Sequence, residues 1–461
     1  MKTKEDILII GAGLCGSLLA LRMGQRGHRV RVMERRSDLR KVDLKAGRSI
    51  NLALSNRGLK ALKMVGLEAA VKPLCIPMYG RMLHDKEGRL KMSKYSGRKG
   101  EYINSISREL LTALLIDQAE ALENVSFEFN LKCDEVDLKN NIASFTNTKN
   151  RYSLNCKAGR IFGTDGAGSS LRKSYVSKRE FLFNFSQDFL THGYKELSIP
   201  ADKNGGFRAK KNVLHIWPRG DYMIIALPNL DGSFTVTLFL AYEGGTYNFK
   251  NLDTEYKVLN FFSKEFPDTL ELMPDLVSEF FKNPTAPLGT IKCFPWQYAG
   301  KNLILGDAAH AIVPFYGQGM NASFEDVSEL DAAFDLHQGD WEAAFKAFEL
   351  KRKKDTDGIA DLAIDNFHEM KDHVSNPNFQ QKRSLETRLE KQLPEAYFSK
   401  YSMVTFRDDM GYNEAMVLGR AQDKSILKMI EKKQINLNSP IEELYEKIKD
   451  ETNSILKNQG I

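Results

Sequence analysis

The chain has 461 residues, with 66 Lys and Arg against 60 Asp and Glu, 42% apolar residues and 27% charged ones. That composition is close to the globular average and excludes extended disorder as the main state. A net charge of +6 over this length is too dilute to argue for nucleic acid, and it favours anionic small molecules only mildly.

No run approaches the ~18 consecutive apolar residues needed to span a bilayer. The N-terminus, Met1 to Asp6, carries acids and is no signal peptide. Five scattered cysteines (Cys15, Cys75, Cys133, Cys156, Cys293) lack CxxC or Cys/His spacing, which argues against a disulfide framework and a zinc or other metal site. A cytoplasmic protein of two or three domains is expected.

Along the chain, Ile7-Leu8-Ile9-Ile10 is a continuous apolar run suited to a strand buried on both faces. It breaks at Gly11-Ala12-Gly13-Leu14-Cys15-Gly16, passes through a helix-like stretch from Ser17 to Arg26, and resumes after Gly27-His28 as Val30 to Met33, ending at Glu34. This predicts β-α-β, a parallel sheet and a right-handed crossover. Arg160-Ile161-Phe162 runs into Gly163-Thr164-Asp165-Gly166, and Asn302 to Leu305 runs into Gly306-Asp307. Both read as later strands of the same sheet, stopping at Gly and Asp on its ligand-binding edge.

Between those two strands the pattern changes. Ser233 to Leu240 alternates apolar and small polar residues, and Leu214 to Trp217 and Tyr222 to Leu227 flank a Pro218-Arg219-Gly220-Asp221 turn. These predict antiparallel strands and a hairpin. From Ser323 the pattern is helical, with Trp341 to Met370 as one long or kinked helix and Ala421 to Ile461 as amphipathic surface helices. The predicted fold is α/β. A Rossmann-like dinucleotide-binding domain is assembled from residues 1–75, 104–180 and 290–365, a mostly antiparallel β-sheet domain from 76–103 and 181–289, and a C-terminal helical region from 366–461.

The motif Gly11-x-Gly13-x-x-Gly16 sits between a strand and a helix, with Glu34 eighteen residues beyond Gly16. The first glycine permits a tight turn, the second lets the backbone approach a pyrophosphate, and the third lets the helix sit close to the sheet. Glu34 is placed to accept from a ribose diol. The plainer reading is a glycine-rich turn that binds nothing. Asp165 and Asp307 can accept from ribityl or ribose hydroxyls, or each can be an ordinary strand-end Asp capping the next helix. No second GxGxxG in β-α-β context follows, so any further dinucleotide must bind transiently elsewhere.

Taken together, these elements resemble the flavin-dependent aromatic hydroxylases with the para-hydroxybenzoate hydroxylase fold. The segments Gly47 to Ser55, Gly80-Arg81-Met82, His192 to Leu197, Pro314 to Asn321 and Tyr401 to Phe406 resemble the members that act on L-kynurenine, and the matches run from residue 7 to about residue 406. The resemblance implies hydroxylation of L-kynurenine to 3-hydroxykynurenine, in tryptophan breakdown or pyridine-nucleotide synthesis. Tightly bound, non-covalent FAD is the implied cofactor, with NADPH as a transient co-substrate and O2. It implies FAD contacts at Gly11, Gly13, Cys15, Gly16, Met33, Glu34, Arg35, Arg36, Ala53, Arg108, Leu131, Thr164, Asp165, Asp307, Met320 and Asn321. The glycines before Asn321, followed by an acidic helix start, would present backbone N–H groups to the flavin.

The resemblance places the substrate's amino-acid end at Arg81, Tyr95 and Tyr401 with Asn366 nearby, and its aromatic end against Phe315 and Met370. Arg81 offers a planar fork of donors suited to a carboxylate, though a surface salt bridge is the alternative. Asn366, Glu369 and Met370 share one helix face by spacing, which also suits plain helix packing. His310 is a candidate for proton chemistry or for structure, and no residue is assigned as general acid or base.

Tyr316 departs from the family, which has histidine or phenylalanine there, so no role resting on an imidazole carries over. Mitochondrial members end in a hydrophobic membrane segment, whereas the C-terminus here is polar. Two other functions stay open. One is hydroxylation of another aromatic acid, whose ring-borne carboxylate would not require the Arg81, Tyr95 and Tyr401 cluster. The other is a non-catalytic flavin-binding protein.

Overall fold

The computed structural model describes residues 4–41, 51–372 and 376–460. Gly47 to Ile50, part of the segment that carries the family resemblance, lie outside them. The chain forms two compact units, one drawn from Met1–Cys75, Ile106–Phe189 and Gly289–Ala360, the other from Ile76–Ser105, Leu190–Leu288 and Asp361–Ile461.

At the centre of the first unit lies the strand Asp6–Ile10, whose Ile7, Leu8, Ile9 and Ile10 are each at most 3% exposed. It pairs in parallel with Arg29–Glu34 on one side, Ile9 opposite Val32, and with Arg160–Gly163 on the other, Ile9 opposite Phe162. Val125–Phe129 extends the sheet beyond Arg29–Glu34, while Asn302–Ile304 and then the antiparallel pair Gln297–Tyr298 extend it beyond Arg160–Gly163. Burial on both faces is why these strands read as unbroken apolar runs. Helix Leu14–Gln25 makes the crossover and buries Leu18, Leu19, Ala20 and Met23. The parallel order sets Gly11, Glu34, Thr164 and Gly306 at the C-terminal ends of neighbouring strands, on one edge of the sheet.

A small antiparallel sheet, Leu131–Asp137, Ile142–Asn147 and Ser153–Lys157, was not legible in the sequence. Its outward residues, Lys132, Asp134 and Glu135, dilute the apolar pattern. Helix Ser170–Ser177 ties to it: the Ser170 hydroxyl donates to the Cys133 carbonyl at 2.8 Å, and the Ser174 hydroxyl accepts from the Val136 N–H at 3.0 Å.

In the second unit, Phe234–Ala241 pairs antiparallel with residues 192–199 and with Met223–Pro228. Leu214–Pro218 and Met223–Pro228 make the expected hairpin, closed by the Arg219 N–H on the Tyr222 carbonyl at 3.0 Å. Gly80–His84 runs parallel to Leu214–Pro218 and antiparallel to Leu90–Lys94, which places Arg81 opposite Leu214 and Ser93. The core behind this sheet is aromatic, with Trp217, Phe234, Phe261, Phe262 and Phe266 all buried.

The C-terminal helices Pro377–Gln392, Tyr412–Glu431 and Ile441–Asn458 gather Leu385, Leu389, Ile426, Leu444 and Ile448 into a core of their own. Each such buried side chain contributes roughly 1.5–3 kcal/mol relative to exposure. Trp341–Asp372 is one helix. Among the described residues, no helix is long and apolar enough to cross a membrane.

Candidate active site

The three glycines of the first turn do different work. Gly11 sits at φ +102°, its N–H donates to the Met33 carbonyl at 2.8 Å, and a Cβ there would lie 2.7 Å from the Thr164 carbonyl oxygen. A Cβ on Gly16 would lie 2.0 Å from the Gly11 carbonyl oxygen, so only glycine lets the helix start approach the sheet. Around Gly13 an added Cβ meets nothing within 4 Å. Two glycines therefore serve the protein's own packing, and the third leaves open space for a ligand. Helix Leu14–Gln25 has no side-chain cap and no acid in its first turn, leaving its positive end suited to phosphate.

Glu34 is buried at the end of its strand. Its Oε2 accepts from the Ala12 N–H at 2.8 Å, and its Oε1 accepts from the Arg36 N–H at 3.0 Å and Nε at 2.8 Å. Burial pushes this carboxyl up, but Arg36 and the two backbone donors hold it below the usual range. Glu34 is thus an ionised acceptor fixed beside the glycine turn.

Asp165 makes the helix contact and has an oxygen to spare. Its Oδ2 accepts from the Ser170 N–H at 2.6 Å, capping the next helix, whereas Oδ1 is buried and has no hydrogen-bond partner among the described residues. Burial pushes the carboxyl up, with Ser169 and Ser170 pulling the other way. A buried acceptor left over in this way calls for a hydroxyl donor. FAD fits the set: a helix start for its pyrophosphate, Glu34 for a ribose diol and Asp165 for a hydroxyl of the flavin side chain.

Other expected contacts are engaged within the scaffold. The Thr164 hydroxyl donates to the Ile10 carbonyl at 3.0 Å and the Gly11 carbonyl at 2.9 Å. Asn321 donates through Nδ2 to the Ala53 carbonyl at 2.8 Å and the Gly317 carbonyl at 3.0 Å, and its Oδ1 accepts from the Ser55 N–H at 3.0 Å. The Cys15 thiol donates to the Ser323 carbonyl at 3.6 Å, and burial pushes its pKa well up. Met33, Leu131 and Met320 are buried, Ala53 is half-buried, and Arg35, Arg36, Arg108 and Asp307 are exposed.

The helix after Pro314 to Gln318 begins at Gly319 rather than Ser323 and runs to Leu336, with no acid in its first turn. Glu325 and Asp326 come later on that helix and face inward. Glu325 accepts from Arg57 and Arg352, both at 2.6 Å. Asp326 accepts from Arg352 Nε at 2.8 Å, from the Gly306 N–H at 2.8 Å and from His310 Nε2 at 2.5 Å. Burial works against the Arg352 charge, and Glu325 and Asp326 outweigh it. His310 is therefore part of a buried ion network that holds the Gly306 turn. This network escaped sequence reasoning because its members lie far apart in the chain. The Glu325-Asp326 pair gives little signal by itself, because Glu329, Asp331 and Asp335 follow it on the same helix.

In the second unit, Arg81 has its Cζ 4.5 Å from the Tyr401 ring centroid and 5.4 Å from that of Tyr95. The tyrosine rings stack with centroids 5.5 Å apart and planes 11° apart. Among the described residues, no carboxylate pairs with Arg81. Tyr95 is 1% exposed, and its hydroxyl has no hydrogen-bond partner among the described residues. Burial pushes its pKa well up despite Arg81, so it stays a donor. A guanidinium beside a buried hydroxyl donor suits a carboxylate.

Of the helical trio, Asn366 is half-buried and Glu369 accepts from Lys400 Nζ. The Met370 side chain lies outside the described residues. Phe315 and Tyr316 are buried in the short turn Pro314–Tyr316 of the first unit.

An FAD binding domain family model matches residues 4–181 and 275–338. Kynurenine 3-monooxygenase of Flavobacterium psychrophilum is 43% identical over 97% of this chain and 98% of its own. The protein of the same name from Dictyostelium discoideum is 43% identical over 92% of this chain and 93% of its own. Among solved structures, 2-methyl-3-hydroxypyridine-5-carboxylic acid oxygenase superposes with a TM-score of 0.65 over 86% of this chain and 99% of its own, at 20% identity. PqsL of Pseudomonas aeruginosa, in complex with 2-aminobenzoylacetate, does so with 0.63 over 80% of this chain and 97% of its own, at 18% identity. These two likenesses concern the fold.

Proposed function

The chain belongs to the kynurenine 3-monooxygenase family, and from that membership we propose that its first unit holds FAD while its second grips the amino-acid end of L-kynurenine. It is an FAD-dependent monooxygenase that converts L-kynurenine to 3-hydroxykynurenine at the expense of NADPH and O2.

FAD, when bound, accepts the reducing equivalents of NADPH and activates oxygen. The chain supplies the rest. The start of helix Leu14–Gln25 and the open face of Gly13 receive the pyrophosphate, Glu34 a ribose diol, and Asp165 Oδ1 a hydroxyl. Arg81 pairs with the substrate carboxylate, Tyr95 donates to it, and the two tyrosine rings form the wall beside it. Asn366 is assigned near the amino-acid end. The ring amine of the substrate itself enriches the neighbouring carbon, so the protein needs no strong nucleophile; it orients the ring and excludes water.

The observation that carries this reading is the Arg81 guanidinium over the Tyr95–Tyr401 stack, with no carboxylate paired to it among the described residues. An aromatic acid with its carboxylate on the ring makes no use of such a subsite set apart for an amino-acid tail. The test is NADPH and oxygen consumption with and without L-kynurenine, with product mass determined. L-kynurenine should accelerate NADPH oxidation and gain one oxygen atom; if it does neither, the reading is wrong. The free thiols of Cys15, Cys75, Cys133, Cys156 and Cys293 support a reducing compartment, and the cytoplasm is the proposed location.

A further inference from the structure

We propose that Glu390 is the positioning residue of the carboxylate subsite, a single buried carboxylate that holds the segment bearing Tyr95 and the helix bearing Tyr401 in mutual register. The inference rests on the reading of Arg81, Tyr95 and Tyr401 as that subsite.

Helix Pro377–Gln392 carries Arg383 and Glu390 two turns apart, on one face. Arg383 donates to the Tyr95 carbonyl at 2.7 Å and the Lys94 carbonyl at 3.2 Å. Glu390 is fully buried, and its two oxygens serve different segments. Oε2 accepts from the Gly97 N–H at 2.9 Å, two residues past Tyr95. Oε1 accepts from the Ser399 N–H at 3.0 Å and from the Ser402 hydroxyl, the residues that bracket Lys400 and Tyr401. Burial pushes this carboxyl up, but the donors from Ser402, Ser399 and Gly97 hold it below the usual range, and Arg98 Nη1 stands 3.4 Å from the same oxygen. Ser399 in turn caps helix Lys400–Phe406 through its side chain, so the direction of that helix, and of Tyr401 in its first turn, follows from where Glu390 holds it.

The packing leaves little slack. A Cβ on Gly97 would lie 2.4 Å from the Thr387 carbonyl oxygen and 2.8 Å from the Lys391 nitrogen, so this segment lies directly on the helix. Glutamine at 390 would keep the shape but replace one acceptor by an NH2 group. Either Gly97 or the Ser399–Ser402 pair would then face a donor with a donor. The Tyr95–Tyr401 stack would lose one of its two supports while Arg81, on its own strand, stays in place.

The experiment is steady-state kinetics of Glu390→Gln holoenzyme, alone and combined with Arg81→Ala. Glu390→Gln should keep its FAD content and its kcat within about twofold, and raise the KM for L-kynurenine about tenfold, the loss expected for one hydrogen bond to a buried charge. In the Arg81→Ala background the same change should alter KM by less than about twofold, because the two substitutions act on one subsite. An unchanged KM in Glu390→Gln, with KM raised in Arg81→Ala, overturns the bracing role alone. So does a KM penalty that persists in full in the double variant, which would mark a general loosening of the fold. An Arg81→Ala enzyme with unchanged KM overturns the subsite reading and the proposal with it. If Glu390→Gln does not fold, Ser402→Ala removes only the hydroxyl contact, and its KM should rise about threefold under the same criteria.

Discussion

Tyr95 and Tyr401, more than three hundred residues apart in the chain, stack with ring centroids 5.5 Å apart and planes 11° apart, and the Arg81 guanidinium lies over both. The buried Tyr95 hydroxyl has no hydrogen-bond partner among the described residues. Tyr95→Phe keeps the stack and removes that donor, so KM for L-kynurenine should rise about five- to tenfold with kcat little changed. Arg81→Ala removes the charge itself and should raise KM about a hundredfold while FAD stays bound. Loss of flavin from either variant would place the residue in the wrong subsite.

The glycine turn offers a sharper contrast, since two of its glycines answer to the protein's packing and the third faces open space. Gly13→Ala meets nothing in the fold, so the apoprotein should melt within about a degree of wild type while its FAD affinity falls at least tenfold. Gly16→Ala drives a Cβ to 2.0 Å from the Gly11 carbonyl oxygen, which must shift. The apoprotein should lose several kcal/mol, on the scale of other overpacked cores. Thermal melts of both apoproteins and flavin titrations separate the cases, and equal behaviour of the two variants would contradict the division of roles.

Arg352 is 1% exposed and serves both Glu325 and Asp326. Arg352→Met fits the same volume but takes a cationic partner from two buried carboxylates, leaving Glu325 with Arg57 and Asp326 with His310 and the Gly306 N–H, and breaking such a network costs about 3–5 kcal/mol. Denaturant unfolding should show that loss. The Gly306 turn hangs from Asp326, so FAD affinity should weaken in parallel. A variant as stable as wild type would mean that water or rearrangement satisfies the carboxylates.

Much of this architecture can be read from local pattern, and the reason is physical. A strand buried on both faces must be apolar throughout, and a helix that meets a sheet edge at a phosphate site must be glycine-rich, so Ile7 to Gly16 announces itself. The Leu214–Pro218 hairpin is announced by its turn, and Arg81 only through resemblance to relatives. What no local pattern carries is pairing across distance. Asp326 looks like a solvent-facing acid until Arg352 and His310 are seen on either side of it, and Glu390 looks like one charge among many on a polar helix. The half-used Asp165, with one oxygen on the next helix and one left over, is compatible with both readings that the sequence set side by side.

A last expectation concerns pH. His215 is buried in the second unit; its Nε2 lies 2.9 Å from the Lys210 carbonyl and its Nδ1 2.8 Å from His84 Nε2. A carbonyl can only accept, so Nε2 carries the proton and Nδ1 accepts from His84, whose other nitrogen lies 2.8 Å from Asp268. Protonating His215 would set N–H against N–H, and burial first of all pushes its pKa down from 6.5 to about 4. Because the folded value lies below the unfolded one, the unfolded chain binds the extra proton between them. The stability from a neutral His215 is therefore complete above about pH 6.5 and is lost as pH falls towards 4, by on the order of 3 kcal/mol. Unfolding free energies of wild type and His215→Gln, measured from pH 8 to pH 4, should differ most at neutral pH and converge on acidification. A difference that stays constant across that range would show that His215 does not titrate on unfolding.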